Sequence, residues 1–242
     1  MKFPTACCCV ITKWIMEKGG VIFDFNGTLF WDTEIQEVSW DKYLAAHDIN
    51  LTRAQKKEYI HGRNGRDTLE ILFKRQLTDQ EVLQYTEEKE IIYRSDCLKS
   101  KMELAPGAVK LLDYLKEKGI PMAVATAAGK SNVDFFIERF RLLDWFAEEN
   151  IIYNDGKIKG KPDPEIFEKA IQRLGVKKDR SVIFEDSFSG IEAALNCKVW
   201  KVIIVNSAKE DYSAYDLPVI EHFDEFDRNL LNSSKSDPGK LA

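Results

Sequence analysis

The run Val21-Ile22-Phe23-Asp24-Phe25, closed by Asn26-Gly27-Thr28, constrains this chain more than any other stretch. Apolar, β-branched and aromatic residues with one carboxylate among them read as a strand buried on both faces, the kind found in parallel sheets. In open α/β sheets ligands bind beyond the carboxyl ends of such strands, which is where Asp24 falls. An ionised carboxylate in an apolar run is costly unless it is paired or holds a metal, so Asp24 is a candidate functional group. The next loop, through Gly27 and Thr28, can aim backbone N–H groups at an anion.

Behind this strand the pattern turns helical. Residues Thr33 to His47 carry Ile35, Val38, Trp40, Tyr43 and Leu44 at helical spacing, with Asp32 or Thr33 placed as the cap. Thr52 opens a second helix that reaches Ile60, Asp67 a third, and Thr78 a fourth that runs to about Leu98. No strand-like alternation interrupts them, so residues 32–105 are expected to form an inserted all-helical cap domain. From Pro106 onward helices and strands alternate, with strands at Pro121–Ala125, Ser181–Phe184 and Lys201–Val205. Asn154-Asp155-Gly156, between two short apolar runs, reads as a hairpin turn. The expected fold class is therefore α/β, a Rossmann-like doubly wound parallel sheet (residues 19–31 and 106–231) with a helical cap. Residues 1–18 read as a poorly ordered, dispensable leader, and residues 232–242 as a disordered tail.

Composition narrows the function classes. A net charge of -5 and a pI near 5.4 argue against nucleic acid as a partner. No apolar run reaches the 18 or so residues of a membrane span. Cys7, Cys8, Cys9, Cys97 and Cys197 are odd in number and lack the CxxC spacing of zinc sites, which fits reduced thiols and a cytoplasmic location. The oligomeric expectation is a monomer or weak dimer.

Strand ends and loops then supply one consistent chemistry. Asp24 and the Glu185-Asp186 pair put carboxylates on separate strand ends, a donor set suited to a hard, oxygen-preferring cation such as Mg²⁺. Thr126 adds a hydroxyl after a strand, and Lys161 a point positive charge on a Gly-Lys-Pro turn. An anion site beside a metal site is what phosphoryl transfer requires. The expected partner is a small phosphorylated metabolite.

The segments DFNGTL at Asp24–Leu29, Thr126 after the second strand, GKPDP at Gly160–Pro164 and FEDSFSGIEAA at Phe184–Ala194 resemble the motifs of the haloacid dehalogenase superfamily, in its β-phosphoglucomutase-like branch. The resemblance spans Val21 to about Ser207. It implies a mobile cap, Mg²⁺ and an aspartyl-phosphate intermediate. It makes Asp24 the nucleophile and a metal ligand, with the Asn26 backbone carbonyl, Glu185 and Asp186 completing the protein ligands. Thr126, the backbone at Ala127, and Lys161 would hold the phosphate.

One position departs from the pattern. The superfamily normally has a second Asp two residues after the nucleophile, serving as general acid and base; here it is Asn26. An amide neither gives nor takes a proton at neutral pH, which removes a contribution worth about 10²–10⁴-fold. Hydrolysis of the aspartyl phosphate is expected to be slow, and a phosphomutase, which uses the same acid/base, is the nearer alternative. Other outcomes are a phosphometabolite-binding protein without turnover, and partial deamidation of Asn26-Gly27.

In the cap loop, His61 is a candidate replacement proton carrier or a solvated histidine. Arg63 and Arg66 are candidate clamps for a second phosphate or for sugar hydroxyls, or solvated loop arginines. Lys56 and Lys57 are weighed as Schiff-base lysines of a phosphonate-cleaving enzyme and ranked last. Among the aromatics only Trp31 is kept as a substrate wall; Trp40, Phe135, Phe136, Trp145 and Phe146 read as packing. The run Glu87-Glu88-Lys89-Glu90 reads as a solvated helix face.

Overall fold

The computed structural model describes residues 19–60 and 65–231. The first strand, β1 (Val21–Phe23), lies at the centre of a six-stranded parallel sheet. The others are β2 (Met122–Gly129), β3 (Ile151–Asn154), β4 (Val182–Glu185), β5 (Lys201–Val205) and β6 (Val219–Ile220), in the order β3-β2-β1-β4-β5-β6. The period-2 alternation of a strand divides β1 between two cores. Val21 and Phe23 join Val124, Val182 and Phe184 on one face, whereas Ile22 joins Ala123, Ala125 and Ile183 on the other. Phe23 stacks on Phe184 with ring centroids 5.1 Å apart. Burial on both sides is why β1 and β4 are continuous apolar runs.

Helices cover both faces. Helix α5 (Ala108–Glu117) and helix α6 (Lys130–Phe140) contribute to the first core; α7 (Glu165–Leu174) and α8 (Phe188–Cys197) contribute to the second. The chain moves outward from β1 to β2 and β3, then returns to the far side of β1 for β4, β5 and β6. The strand order therefore switches between β1 and β4, and a crevice beyond their carboxyl ends is the expected ligand position.

Between β1 and α5 lie helices α1 (Thr33–Ala46), α2 (Arg53–Tyr59), α3 (Gly65–Phe73) and α4 (Asp79–Cys97). Capping boxes start two of them: Thr52 with Gln55 for α2, and Thr78 with Glu81 for α4. Tyr43, Leu69 and Leu77, flanked by Trp40, Phe73 and Tyr85, fill the space between these helices. Arg94 and Glu90 of α4 bind the side chain of Asn132 on α6 at 2.8 and 2.6 Å, fastening the helical segment to the sheet domain.

Several expectations are corrected. Residues 151–159 form no hairpin: β3 is a parallel edge strand on β2. The Asn154 and Asp155 side chains take the N–H groups of Gly156, Lys157 and Ile158, so the chain turns away instead of pairing back. Strand β2 continues through Gly129 after a register irregularity between Ala125 and Gly129, which places Thr126 within the strand. The two-residue strand β6 has no sequence pattern long enough to announce it. The acidic run on α4 is not simply solvated, because Lys89 is buried, binds Gln36 Oε1 at 2.6 Å and lies over the rings of Trp40 and Tyr93. The leader 1–18 and the tail 232–242 lie outside the described residues.

Candidate active site

Asp24 is the residue immediately after β1, and its N–H donates to the Phe184 carbonyl of β4 at 3.0 Å. Glu185 ends β4 and Asp186 comes directly after it. The three carboxylates each offer an oxygen, and these oxygens lie within 4.8 Å of one another. Lys161 places its ammonium 2.6 Å from Asp24 Oδ1 and 2.8 Å from Glu185 Oε2, with only 7% of its side chain exposed. It arrives on the loop ahead of α7, at a cis Lys161–Pro162 bond, and lies over the Phe167 ring.

Crowding in this buried site changes the acidity of Asp24 and Asp186. Burial, then the charge of Glu185, pushes Asp24 from 3.8 up to about 7, against the opposing pull of Lys161. Burial and the charges of Glu185 and Asp24 likewise push Asp186 well up. For Lys161, burial disfavours the ammonium, but Asp24 and Glu185 outweigh it and the group is raised overall. With all three carboxylates ionised, one lysine would leave negative charge for a cation to balance. An oxygen-only donor set of this span fits a divalent cation such as Mg²⁺.

Neighbours hold the donors in place. Glu185 Oε1 accepts from the Ser187 N–H and hydroxyl at 3.1 and 2.6 Å, and Ser187 in turn caps α8. Gly190 permits this approach, since a Cβ there would lie 1.9 Å from Glu185 Oε1. The Thr28 hydroxyl donates to Asp186 Oδ1 at 2.8 Å.

The remaining expected residues separate into those brought to the site and those spent elsewhere. Thr126 is buried beside Asn26, its hydroxyl 3.4 Å from Asn26 Oδ1 and accepting from the Ala128 N–H at 3.1 Å. Ala127 is exposed next to it. Gly27 adopts φ +84° and commits its N–H to the Phe30 carbonyl and Asp32 Oδ1, at 2.7 and 3.0 Å, so that N–H does not face an anion. Thr28 orients a carboxylate where an anion contact was expected. Arg66 is used inside the helical segment, where it binds Glu70, the Leu77 carbonyl and Asp79. Lys56 pairs with Asp41 and Glu37, and its hydrogen bond to Asp41 raises its pKa, the opposite of what a Schiff-base lysine needs. The Trp31 indole N–H is bound to the Thr28 carbonyl at 3.1 Å. His61 and Arg63 lie outside the described residues.

Asp32 and Tyr93 are the residues that sequence reasoning missed. Asp32 read only as a helix cap, yet its side chain makes no bond to the N-terminus of α1. It lies 1% exposed against Asn26. The available signal was a second carboxylate directly behind the apolar Leu29-Phe30-Trp31; nothing local marks Tyr93.

Comparison with known proteins agrees with this geometry. A phosphorylated carbohydrates phosphatase of Thermotoga maritima is 34% identical over 129 residues, 53% of this chain and 56% of that one. A (DL)-glycerol-3-phosphatase of Arabidopsis thaliana is 29% identical over 204 residues, 80% of this chain and 65% of that one. The matches thus span less than two thirds of either relative. The crystal structure of a HAD hydrolase, family IA, variant 3, from Entamoeba histolytica superposes with a TM-score of 0.79 at 32% identity, covering 89% of this chain and all of that one. The model of the haloacid dehalogenase-like hydrolase family matches residues 21–205, and the chain belongs to that family.

Proposed function

We propose that this protein is a phosphatase that hydrolyses the phosphate monoester of a small phosphorylated metabolite, a sugar or polyol phosphate, in the cytoplasm as a monomer or weak dimer. The observation that carries it is the buried Asp24 carboxylate, flanked by Lys161, Glu185 and Asp186 at the switch point of the sheet. The two relatives named as phosphatases of phosphorylated carbohydrate and glycerol phosphate support the substrate class.

In this reading Asp24 attacks phosphorus, the bond to the leaving alcohol oxygen breaks, and an aspartyl phosphate forms. Water then attacks phosphorus, inorganic phosphate leaves, and the Asp24 carboxylate is regenerated. Lys161 neutralises the phosphoryl oxygens, and the Thr126 hydroxyl with the backbone at Ala127 orients them. Asp24, Glu185, Asp186 and the Asn26 backbone carbonyl would hold Mg²⁺, which supplies charge neutralisation of the transferring group. Protons for the alcohol and from the attacking water pass to and from solvent, since the Asn26 amide carries none. That amide favours a second reading, in which the site binds a phosphometabolite and turns it over only very slowly.

The test is phosphate release from a panel of sugar and polyol phosphates with Mg²⁺. Activity in the wild type that disappears in Asp24→Ala supports the phosphatase. Silence in the wild type, with activity in Asn26→Asp, supports the binding protein. Activity that survives Asp24→Ala refutes both.

A further inference from the structure

Asp32 is a buried carboxylate whose hydrogen-bond donors are all neutral. Its Oδ1 accepts from the Gly27 N–H at 3.0 Å, and its Oδ2 from Asn26 Nδ2 at 2.7 Å, Gln36 Nε2 at 3.0 Å and the Tyr93 hydroxyl at 2.5 Å. Tyr93 is fully buried on α4; its hydroxyl donates to Asp32 and accepts from Asn26 Nδ2 at 3.1 Å. Asp32 and Tyr93 thus both engage the NH₂ end of Asn26.

This arrangement fixes which end of the amide faces the pocket. A carboxylate only accepts, so it requires the NH₂ end of Asn26; the reverse orientation would set two oxygens against each other at hydrogen-bond distance. The carbonyl oxygen Oδ1 is what remains, and it points to Thr126 Oγ1, 3.4 Å away.

We infer that Asp32 and Tyr93 are positioning residues that lock the Asn26 amide with its carbonyl oxygen toward the phosphoryl pocket, where it orients the attacking water by accepting a hydrogen bond without removing the proton. The inference rests on the phosphatase reading for its catalytic meaning. Two donors come from the helical segment, Gln36 from α1 and Tyr93 from α4, so the lock also ties the placement of those helices to the nucleophile loop. Lys89 extends it by binding Gln36.

The experiment combines a double-mutant cycle with NMR of the Asn26 side-chain amide. Asp32→Asn should lower kcat about tenfold, the loss of one charge-assisted hydrogen bond, with KM within about twofold. In an Asn26→Ala background the same substitution should cost nothing further, whereas a general folding role would cost the same in both. Tyr93→Phe, isosteric and apolar, serves where Asp32→Asn fails to fold, and is expected to give a smaller loss with the same dependence on Asn26. Separately, the two Asn26 amide protons, assigned by their disappearance in Asn26→Ala, should be well separated and slow to exchange, with faster exchange in Tyr93→Phe and loss of both features in Asp32→Asn. Equal losses in both backgrounds, or Asn26 protons exchanging like free amides in the wild type, overturn the inference. A wild type that releases no phosphate overturns the phosphatase reading instead, and the amide signals then decide the lock alone.

Discussion

Replacing Lys161 with Met keeps the length and apolar contact of the side chain over Phe167 but removes the cation shared by Asp24 and Glu185. Breaking a buried ion pair from one side costs about 3–5 kcal/mol, because the partner charge is left unpaired. For a chain of this size that corresponds to a fall in Tm of roughly 6–20 °C. The cost has a definite pH dependence. Asp24 is held at about 7, above the 3.8 of an unperturbed carboxyl, so the folded protein keeps this proton over that interval while the unfolded chain releases it. Stability contributed here falls as pH rises from about 4 toward 7. Without Lys161 the carboxyl moves higher still, and the fall extends past neutrality. Lys161 itself is raised above its ordinary value and stays charged throughout this window. The gap between wild type and Lys161→Met should therefore be small near pH 4.5 and largest near pH 8, and millimolar Mg²⁺ should narrow it. Thermal denaturation monitored by circular dichroism at the two pH values, with and without Mg²⁺, measures it. A gap equal at both pH values would refute the argument that the lysine offsets carboxylate charge.

Asn26→Asp should raise phosphate release by about 10²–10⁴-fold; with Asp32 alongside, the new carboxyl keeps its proton to higher pH, so the gain should be largest on the acidic side of the rate profile. Gly190→Ala forces Glu185 Oε1 away from a Cβ only 1.9 Å off, and should abolish the rise in Tm that Mg²⁺ gives the wild type, read by thermal denaturation with and without the ion. Phe23→Ala removes a fully buried ring stacked on Phe184 and should destabilise the fold by about 3–5 kcal/mol in urea denaturation.

How much could be read in advance depended on whether a residue's role is local. Val21 to Phe23, Ile183 and Phe184, and Val202 to Val205 carry two-sided burial in their composition, so the parallel sheet and its switch point can be inferred from the strings themselves. Asp24, Glu185 and Lys161 stand at strand ends or on a proline-bounded loop and meet because the sheet brings those ends together. The errors are also physical. The Asn154-Asp155-Gly156 turn is chemically real, but a turn sets only a change of direction, and pairing requires that the residues after it return alongside the strand. Gly27 and Thr28 lie in an anion-facing loop by sequence, yet Asp32 and Asp186 take up their donors first. Arg66 reads as a free cation because Asp79 and the Leu77 carbonyl, its partners, belong to a later turn of chain.

Asn26 is the residue for which local reading and structure differ most in meaning. Taken alone, it is an amide with no transferable proton two residues after Asp24. In the fold its nearest partner is Asp32, a carboxyl that burial raises above its ordinary value, with the hydrogen bonds from Tyr93, Asn26 and Gln36 offsetting this only in part. An ionised carboxylate at position 26 would face that group with no donor between them, and one of the two would have to hold a proton. The amide supplies the donor and leaves the Asp32 network satisfied. The amide therefore offers no transferable proton and completes the contact that links Gln36 of α1 and Tyr93 of α4 to the loop after Asp24. Asp32, Tyr93 and Gln36 therefore belong with Asn26 as one hydrogen-bonded unit, and a change at position 26 is felt at all of them.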